Sequence, residues 1–261
     1  MDEVERLAIE NKPKMILAWF SAYSRSLDLK RFRDIADKVW AVLMADFAHF
    51  AWLVAGWVLE NPVPYCDIVT TTTHKTLRWP RWAIIMSKEA WAKDIARAVF
   101  PWVQWGPHEN NIAAKAVAFK EALKPEFRVY ARQVVDNAKF LANELQKYWF
   151  KIISNWTDNH LILVDVFWSF WVTWKEAELA LEKAWLSTNK NMIPYDPRKP
   201  LDPSWIRVWT PAVTTRWMMQ PQMSIIAKVF YEAITNKDDE NKLATLKNEI
   251  LELCKKFPIY K

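Results

Sequence analysis

Eighteen tryptophans against two glycines is the feature of this 261-residue sequence that most restricts what it can fold into. Tight turns, helix ends and close backbone approaches call on residues without a β-carbon. Ordinary proteins carry about 7% glycine, whereas only Gly56 and Gly106 occur here. Counting the 18 tryptophans as glycine would give 20, an ordinary complement for this length.

The positions of the indoles point the same way. Tryptophan contributes most where its area is buried, on helix faces and in strand interiors. Yet the long helical patterns over 111–148 and 218–261 contain none. Trp156 instead lies in Asn155-Trp156-Thr157-Asp158 between two apolar strands, where Asn-Gly hairpin signals occur. Trp149 and Trp185 closely follow helical patterns, at places suited to a C′ glycine. Trp79 and Trp82 bracket Pro80, and Trp168, Trp171 and Trp174 are spaced three apart just before a helix. An overpacked site costs about 1–3 kcal/mol against a total stability of about 5–15 kcal/mol. The sequence therefore predicts glycine at these positions in the living protein, as when a UGA codon that means glycine is read as tryptophan.

Other totals exclude whole classes. With 52% hydrophobic and 25% charged residues, the chain is neither disordered nor fibrous. The longest uncharged apolar stretch, Phe47 to Leu59, is short for a membrane span, and the charged start Met1-Asp2-Glu3-Val4-Glu5-Arg6 lacks a secretory pattern. Cys66 and Cys254 have no metal-ligand spacing and suit a reducing, cytoplasmic compartment; no metal site is expected. The net charge of +6 is spread over helical faces with interleaved acids, as in Lys30-Arg31-Phe32-Arg33-Asp34. That reads as a solvated surface rather than a nucleic-acid groove. Neither a membrane nor a nucleic-acid partner is expected.

Short apolar runs alternate with helical patterns in the first half. Strands are expected over 15–18, 41–45, 67–71 and 83–86, with a helix over 28–39 carrying Leu29, Phe32, Ile35 and Val39 on one stripe. That alternation indicates an α/β fold with a mostly parallel sheet, whose ligands gather at the carboxyl ends of the strands. Asp46 and the threonine run after Val69 fall at such ends. Pro125 interrupts a long helical pattern, and the domain boundary is placed there: a large domain over 1–124 and a smaller α+β domain over 125–261. The latter is expected to hold strands over 150–154, 161–166 and 206–208, a helix over 175–184, and two terminal helices over 223–235 and 238–256.

The most specific segment is Val69-Thr70-Thr71-Thr72-Thr73-His74-Lys75-Thr76-Leu77-Arg78-Trp79-Pro80-Arg81-Trp82. With its two tryptophans read as glycine, it closely resembles the pyridoxal-phosphate lysine motif of the serine hydroxymethyltransferase family. Phe20-Ser21-Ala22-Tyr23-Ser24, Asp46-Phe47-Ala48-His49, Asn61-Pro62-Val63-Pro64, Phe100-Pro101-Trp102-Val103-Gln104-Trp105-Gly106-Pro107 and Ile206-Arg207-Val208-Trp209-Thr210-Pro211-Ala212 occur in the family's order and spacing. The resemblance spans nearly the whole chain, and the eighteen tryptophans fall at the family's glycines or at loop glycines. It implies a fold-type I, aspartate-aminotransferase-like pyridoxal-phosphate transferase. The implied activity is transfer of the serine hydroxymethyl group to tetrahydrofolate, by a homodimer or tetramer with shared active sites.

The residues themselves leave bland readings beside the functional ones. Lys75 alone would be a solvated surface lysine; the resemblance makes it the Schiff-base lysine, which chemistry favours where neighbouring cations lower its pKa. His74, Arg78 and Arg81 supply such charge, and Thr72 resembles the family's threonine beside that lysine. Asp46 reads either as a cap for the segment 48–53 or, by resemblance, as the carboxylate on the pyridinium nitrogen. His49 is either a core histidine or a cofactor contact, and Ser21 either a turn hydroxyl or a contact to the ring hydroxyl region. Arg207 is an odd charge inside a strand, and resembles the arginine that grips the amino-acid carboxylate; Arg216 is the competing candidate, with a structural role favoured. Trp105 and Gly106 resemble a loop reaching the cofactor phosphate of a neighbouring subunit. Asn191 with Lys199, Pro200 and Leu201 resembles the region meeting the folate.

The resemblance enters the family well inside its sequence. An upstream portion with the phosphate loop, a ring-stacking histidine, a catalytic glutamate and much of the folate site is therefore expected to be missing. An inactive fragment or partner-binding remnant stays open as an alternative, as does a related β-hydroxy-amino-acid aldolase.

Overall fold

A computed structural model of the protein describes residues 1–19, 21–192, 196, 203 and 205–260, except for the Trp19 side chain. The chain divides into two compact units. One comprises Met1–Ser21 and Leu27–Ala131, the other Ala22–Ser26 and Arg132–Lys261.

The first unit opens with α1 (Asp2–Asn11), β1 (Met15–Trp19), α2 (Leu29–Lys38) and β2 (Val42–Asp46). It continues through α3 (Ala51–Ala55), β3 (Ile68–Thr72), β4 (Ala83–Ser87), α4 (Glu89–Arg97), α5 (Glu109–Ala122) and the start of α6 (Pro125–Lys147). Asp28 caps α2 by accepting from Arg31 N at 2.8 Å, and Leu29, Phe32, Ile35 and Ala36 form its buried stripe. Pro125 occupies the first turn of α6, where its missing N–H costs nothing. The sheet runs β1-β2-β3-β4. Its first three strands are parallel, with Trp19 opposite Asp46 and Asp46 opposite Thr70. The fourth is antiparallel to β3, with Thr72 opposite Ala83. A short strand returning over ten residues has no room for a helical crossover, so the mostly parallel sheet ends on an antiparallel edge.

The second unit holds β5 (Lys151–Ile152), β6 (Leu161–Asp165), α7 (Phe167–Phe170), α8 (Trp174–Lys183), β7 (Asn189–Asn191), β8 (Trp205–Trp209), α9 (Pro211–Thr215), α10 (Gln220–Thr235) and α11 (Glu240–Lys256). Its antiparallel sheet has the order β5-β6-β8-β7. Every residue of β6 is buried, and the core gathers Leu141, Leu145, Ile162, Val164, Leu181 and Phe230 among others. Thr173 and Glu176 form a capping box that starts α8. β5 is shorter than its apolar run because Ser154 and Asn155 take left-handed backbone, with φ of 55° and 57°. The turn expected at Asn155-Trp156 is thus made one residue earlier, and Trp156 itself is extended at φ −162°. No helix among the described residues is long and apolar enough to cross a membrane.

Asp67, just before β3, ties the first unit's layers together. Its carboxylate accepts from Leu43 N of β2 at 2.8 Å, Arg33 of α2 at 2.8 Å and Lys88 at 2.8 Å. Burial pushes its pKa up, but Lys88, the Leu43 N–H and Arg33 together outweigh that and hold it at about 2. The unfolded value is about 3.9, so the carboxylate stabilises the fold above that pH and stops doing so as pH falls through about 2. Asp67→Asn should therefore cost about 2 kcal/mol at neutral pH, measured by urea unfolding. The difference from the parent chain should shrink as the pH is lowered from about 4 towards 2.

Candidate active site

The carboxyl ends of β1, β2 and β3 lie side by side, and each continues directly into residues suited to chemistry. β2 ends at Asp46, which is half-buried, and its Oδ1 accepts from Ala48 N at 2.9 Å. This closes a tight turn immediately after the strand. The expected alternative, a cap on the next helix, does not arise, because α3 begins at Ala51 with Phe50 at its cap position. The turn delivers His49 into a buried position, where its carbonyl accepts the Trp52 indole N–H at 3.0 Å and its ring lies 6.5 Å from Phe50. Ser21 comes two residues after β1.

β3 ends at Thr72. Its hydroxyl accepts from Lys75 Nζ at 3.0 Å and donates to Ala48 O at 3.4 Å, so one threonine joins the lysine to the Asp46 turn. Phe47 N also donates to Thr70 O at 2.8 Å. The segment after Thr72 is a closed loop. Thr73 N donates to Trp82 O at 3.0 Å, Trp79 N donates to Thr73 O at 3.0 Å, and Thr73 Oγ1 donates to Pro80 O at 2.7 Å. Within it, Arg78 N donates to Lys75 O at 2.9 Å. Thr73 is fully buried and pins the neck of the loop that carries Lys75. In the sequence it is one threonine in a run of four, with nothing to mark it; only the pleat, which turns successive residues to opposite faces, separates its role from that of Thr72.

A cavity of about 740 Å³ opens beside this loop, bounded by Thr72, His74 and Arg81 and by mostly apolar residues of β4 and α4, Ile84, Ile85 and Ile95 among them. Burial, with Lys75 and Arg81 nearby, lowers the pKa of His74, against a smaller opposing hydrogen bond with the Trp82 backbone. Its imidazole is therefore neutral at pH 7. Arg78 takes left-handed backbone at φ 69° and lays its guanidinium 4.2 Å from the centre of the Tyr130 ring. Trp105 and Gly106 come after Gln104 on an exposed segment, and a β-carbon on Gly106 would meet nothing within 4 Å.

The remaining expected site residues belong to the second unit. Arg207 lies in β8 opposite Leu163 and Asn189, its guanidinium 4.7 Å from the Trp209 ring centre. Burial lowers its pKa. Asn191 ends β7 opposite Trp205, and its amide donates to Met192 O. Arg216 donates to Cys254 O at 3.2 Å and Phe257 O at 2.8 Å, closing the carbonyl end of α11 in the structural role expected of it. Lys199, Pro200 and Leu201 lie outside the described residues.

The first unit thus offers an amine, a carboxylate, an imidazole and two hydroxyls at neighbouring strand ends, a donor set that fits a phosphorylated pyridine aldehyde. A family model for serine hydroxymethyltransferase matches residues 1–230 of the chain. Replacing Thr73 by Val should remove one of the two hydrogen bonds to Pro80 O, the other coming from Trp82 N at 2.7 Å, and cost about 0.5–1.5 kcal/mol, seen as a lower midpoint in thermal unfolding. The same change should increase the labelling rate of Lys75 by an amine-reactive reagent, as the loop loses its pin.

Proposed function

Because the chain belongs to the serine hydroxymethyltransferase family, we propose that it serves the reversible transfer of the serine hydroxymethyl group to tetrahydrofolate, giving glycine and 5,10-methylenetetrahydrofolate. The observation that carries this reading is the Lys75–Thr72 pair at the end of β3, linked through Ala48 to the Asp46 turn. Lys75 would hold pyridoxal phosphate, Asp46 would pair with its ring nitrogen, and His49 and Ser21 would contact the ring. When bound, the cofactor supplies an electron sink for breaking the serine Cα–Cβ bond.

The protein's own groups would prepare that chemistry. The Thr72 hydroxyl holds the Lys75 amine in one direction, which limits the conformations lost on reaction. His74, biased to its neutral form by burial and the nearby cations, would serve as a proton acceptor. Arg207 would grip the serine carboxylate as a bidentate fork, which suits a guanidinium that has already lost part of its hydration. Asn191 with Lys199, Pro200 and Leu201 would meet the folate. The exposed Trp105–Gly106 segment would serve the cofactor phosphate of a second copy, making a cytoplasmic homodimer or tetramer with shared sites.

Adding pyridoxal phosphate to the purified chain should produce a visible absorbance band that Lys75→Ala loses. Arg207→Ala should keep the band but raise the serine concentration needed to perturb it about 10- to 100-fold, the loss of a charge-assisted pair. A band of equal strength in Lys75→Ala would remove the reading.

A further inference from the structure

Among the described residues, ten that are not glycine have left-handed backbone, and six of them are tryptophans: Trp40, Trp57, Trp149, Trp171, Trp185 and Trp217, with φ between 57° and 69°. Each stands one or two residues past the end of a helix, closing α2, α3, α6, α7, α8 and α9 in turn. We propose that these six residues are glycine in the protein as its own cell makes it, through a codon read there as glycine and written here as tryptophan. The inference does not depend on the activity proposed above.

Five of the six helix ends have the same hydrogen-bond pattern. After α2, Trp40 N donates to Asp37 O at 3.2 Å and Ala41 N to Ala36 O at 2.9 Å. After α3, Trp57 N donates to Val54 O and Val58 N to Leu53 O, at 3.0 and 2.8 Å. Trp149 and Phe150 do the same to Gln146 O and Leu145 O, Trp185 and Leu186 to Glu182 O and Leu181 O, and Trp217 and Met218 to Thr214 O and Val213 O. These are Schellman motifs, in which the residue at C′ must be left-handed and is usually glycine. The apolar pair that accompanies the motif is present in each: Ala36 with Ala41, Leu53 with Val58, Leu145 with Phe150, Leu181 with Leu186, and Val213 with Met218. Trp171 makes the simpler version, with its N–H donating to Phe167 O at 2.7 Å. Every other part of the motif is in place, and only the residue at its centre is wrong for it.

The indoles contribute little in return. All six are exposed, from 54% at Trp185 to 92% at Trp40, although an indole's value lies in buried area. Their contacts are made at the surface: Arg128 lies over Trp57, Lys247 over Trp185, and Trp171 meets the rings of Phe167 and Trp168 edge-on. The two glycines in the chain are not used for left-handed backbone at all. Gly56 instead sits where a β-carbon would meet the Ala131 side chain at 2.4 Å. Handedness, not tryptophan content, singles out the six. Trp52 is buried, donates its indole N–H to His49 O and is absent from the left-handed set.

Two measurements test the assignment. Peptide mapping by mass spectrometry, on protein isolated from the cells whose genome encodes it, should find glycine at all six positions; tryptophan at any of them would overturn the proposal. In recombinant protein, replacing the six together (Trp40→Gly, Trp57→Gly, Trp149→Gly, Trp171→Gly, Trp185→Gly and Trp217→Gly) should raise Tm by at least about 10 °C. Trp168→Gly, inside α7 and outside the left-handed set, should not raise it. An unchanged or lower Tm in the six-fold variant would contradict the proposal, and the peptide map decides equally well where the recombinant chain as written does not fold.

Discussion

The chain leaves five of its helices through the same paired hydrogen bonds, and that exit exists only where one residue takes positive φ. Much else depends on it. The exit at Trp40 turns α2 into β2, which ends at Asp46; the exit at Trp149 feeds Phe150 into the core ahead of β5; the exit at Trp217 aims Met218 inward before α10. Left-handed backbone costs a residue with a β-carbon about 1–2 kcal/mol. Six such positions together approach the whole stability of a domain, about 5–15 kcal/mol. Glycine removes that cost at the expense only of surface contacts, because the side chains at these points are exposed.

The same logic of strand ends and turns builds the site. Parallel strands put their carboxyl ends on one edge of the sheet, and the register of β1, β2 and β3 brings Trp19, Asp46 and Thr70 level. The turn beyond each strand end is fixed locally: Asp46 by the Ala48 N–H, and Lys75 by Thr72 within a loop closed at Thr73. Asp67 holds the layers beneath, joining α2, β2 and the start of α4 through one carboxylate. The chemistry thus rests on short-range turns mounted on a braced sheet.

Much of this was legible in the residues. The apolar runs at 15–18 and 41–45 found β1 and β2, although Met15 and Leu17 of the edge strand β1 are exposed and only alternate residues of β2 are buried. Pro125 marked the start of α6 because proline fits a helix only in its first turn. Trp149 and Trp185 occupy places that suit a C′ glycine, and both have left-handed backbone. The direction of β4 was not legible, since an apolar run carries no sign of its partner's orientation. Nor was the shortening of β5, where Ser154 and Asn155 take the left-handed turn ahead of Trp156. The separate duties of Thr72 and Thr73 required the pleat, and the stacking of Arg78 on Tyr130 required the tertiary fold that brings α6 beside the loop.

The proposed function stands or falls on Lys75, held by Thr72 at the end of β3, as the residue that would carry pyridoxal phosphate. Incubation with pyridoxal phosphate, borohydride reduction and peptide mapping test it most directly. One dominant phosphopyridoxyl label is expected, on the peptide containing Lys75. Label spread evenly over the surface lysines, or concentrated on another residue, would contradict it.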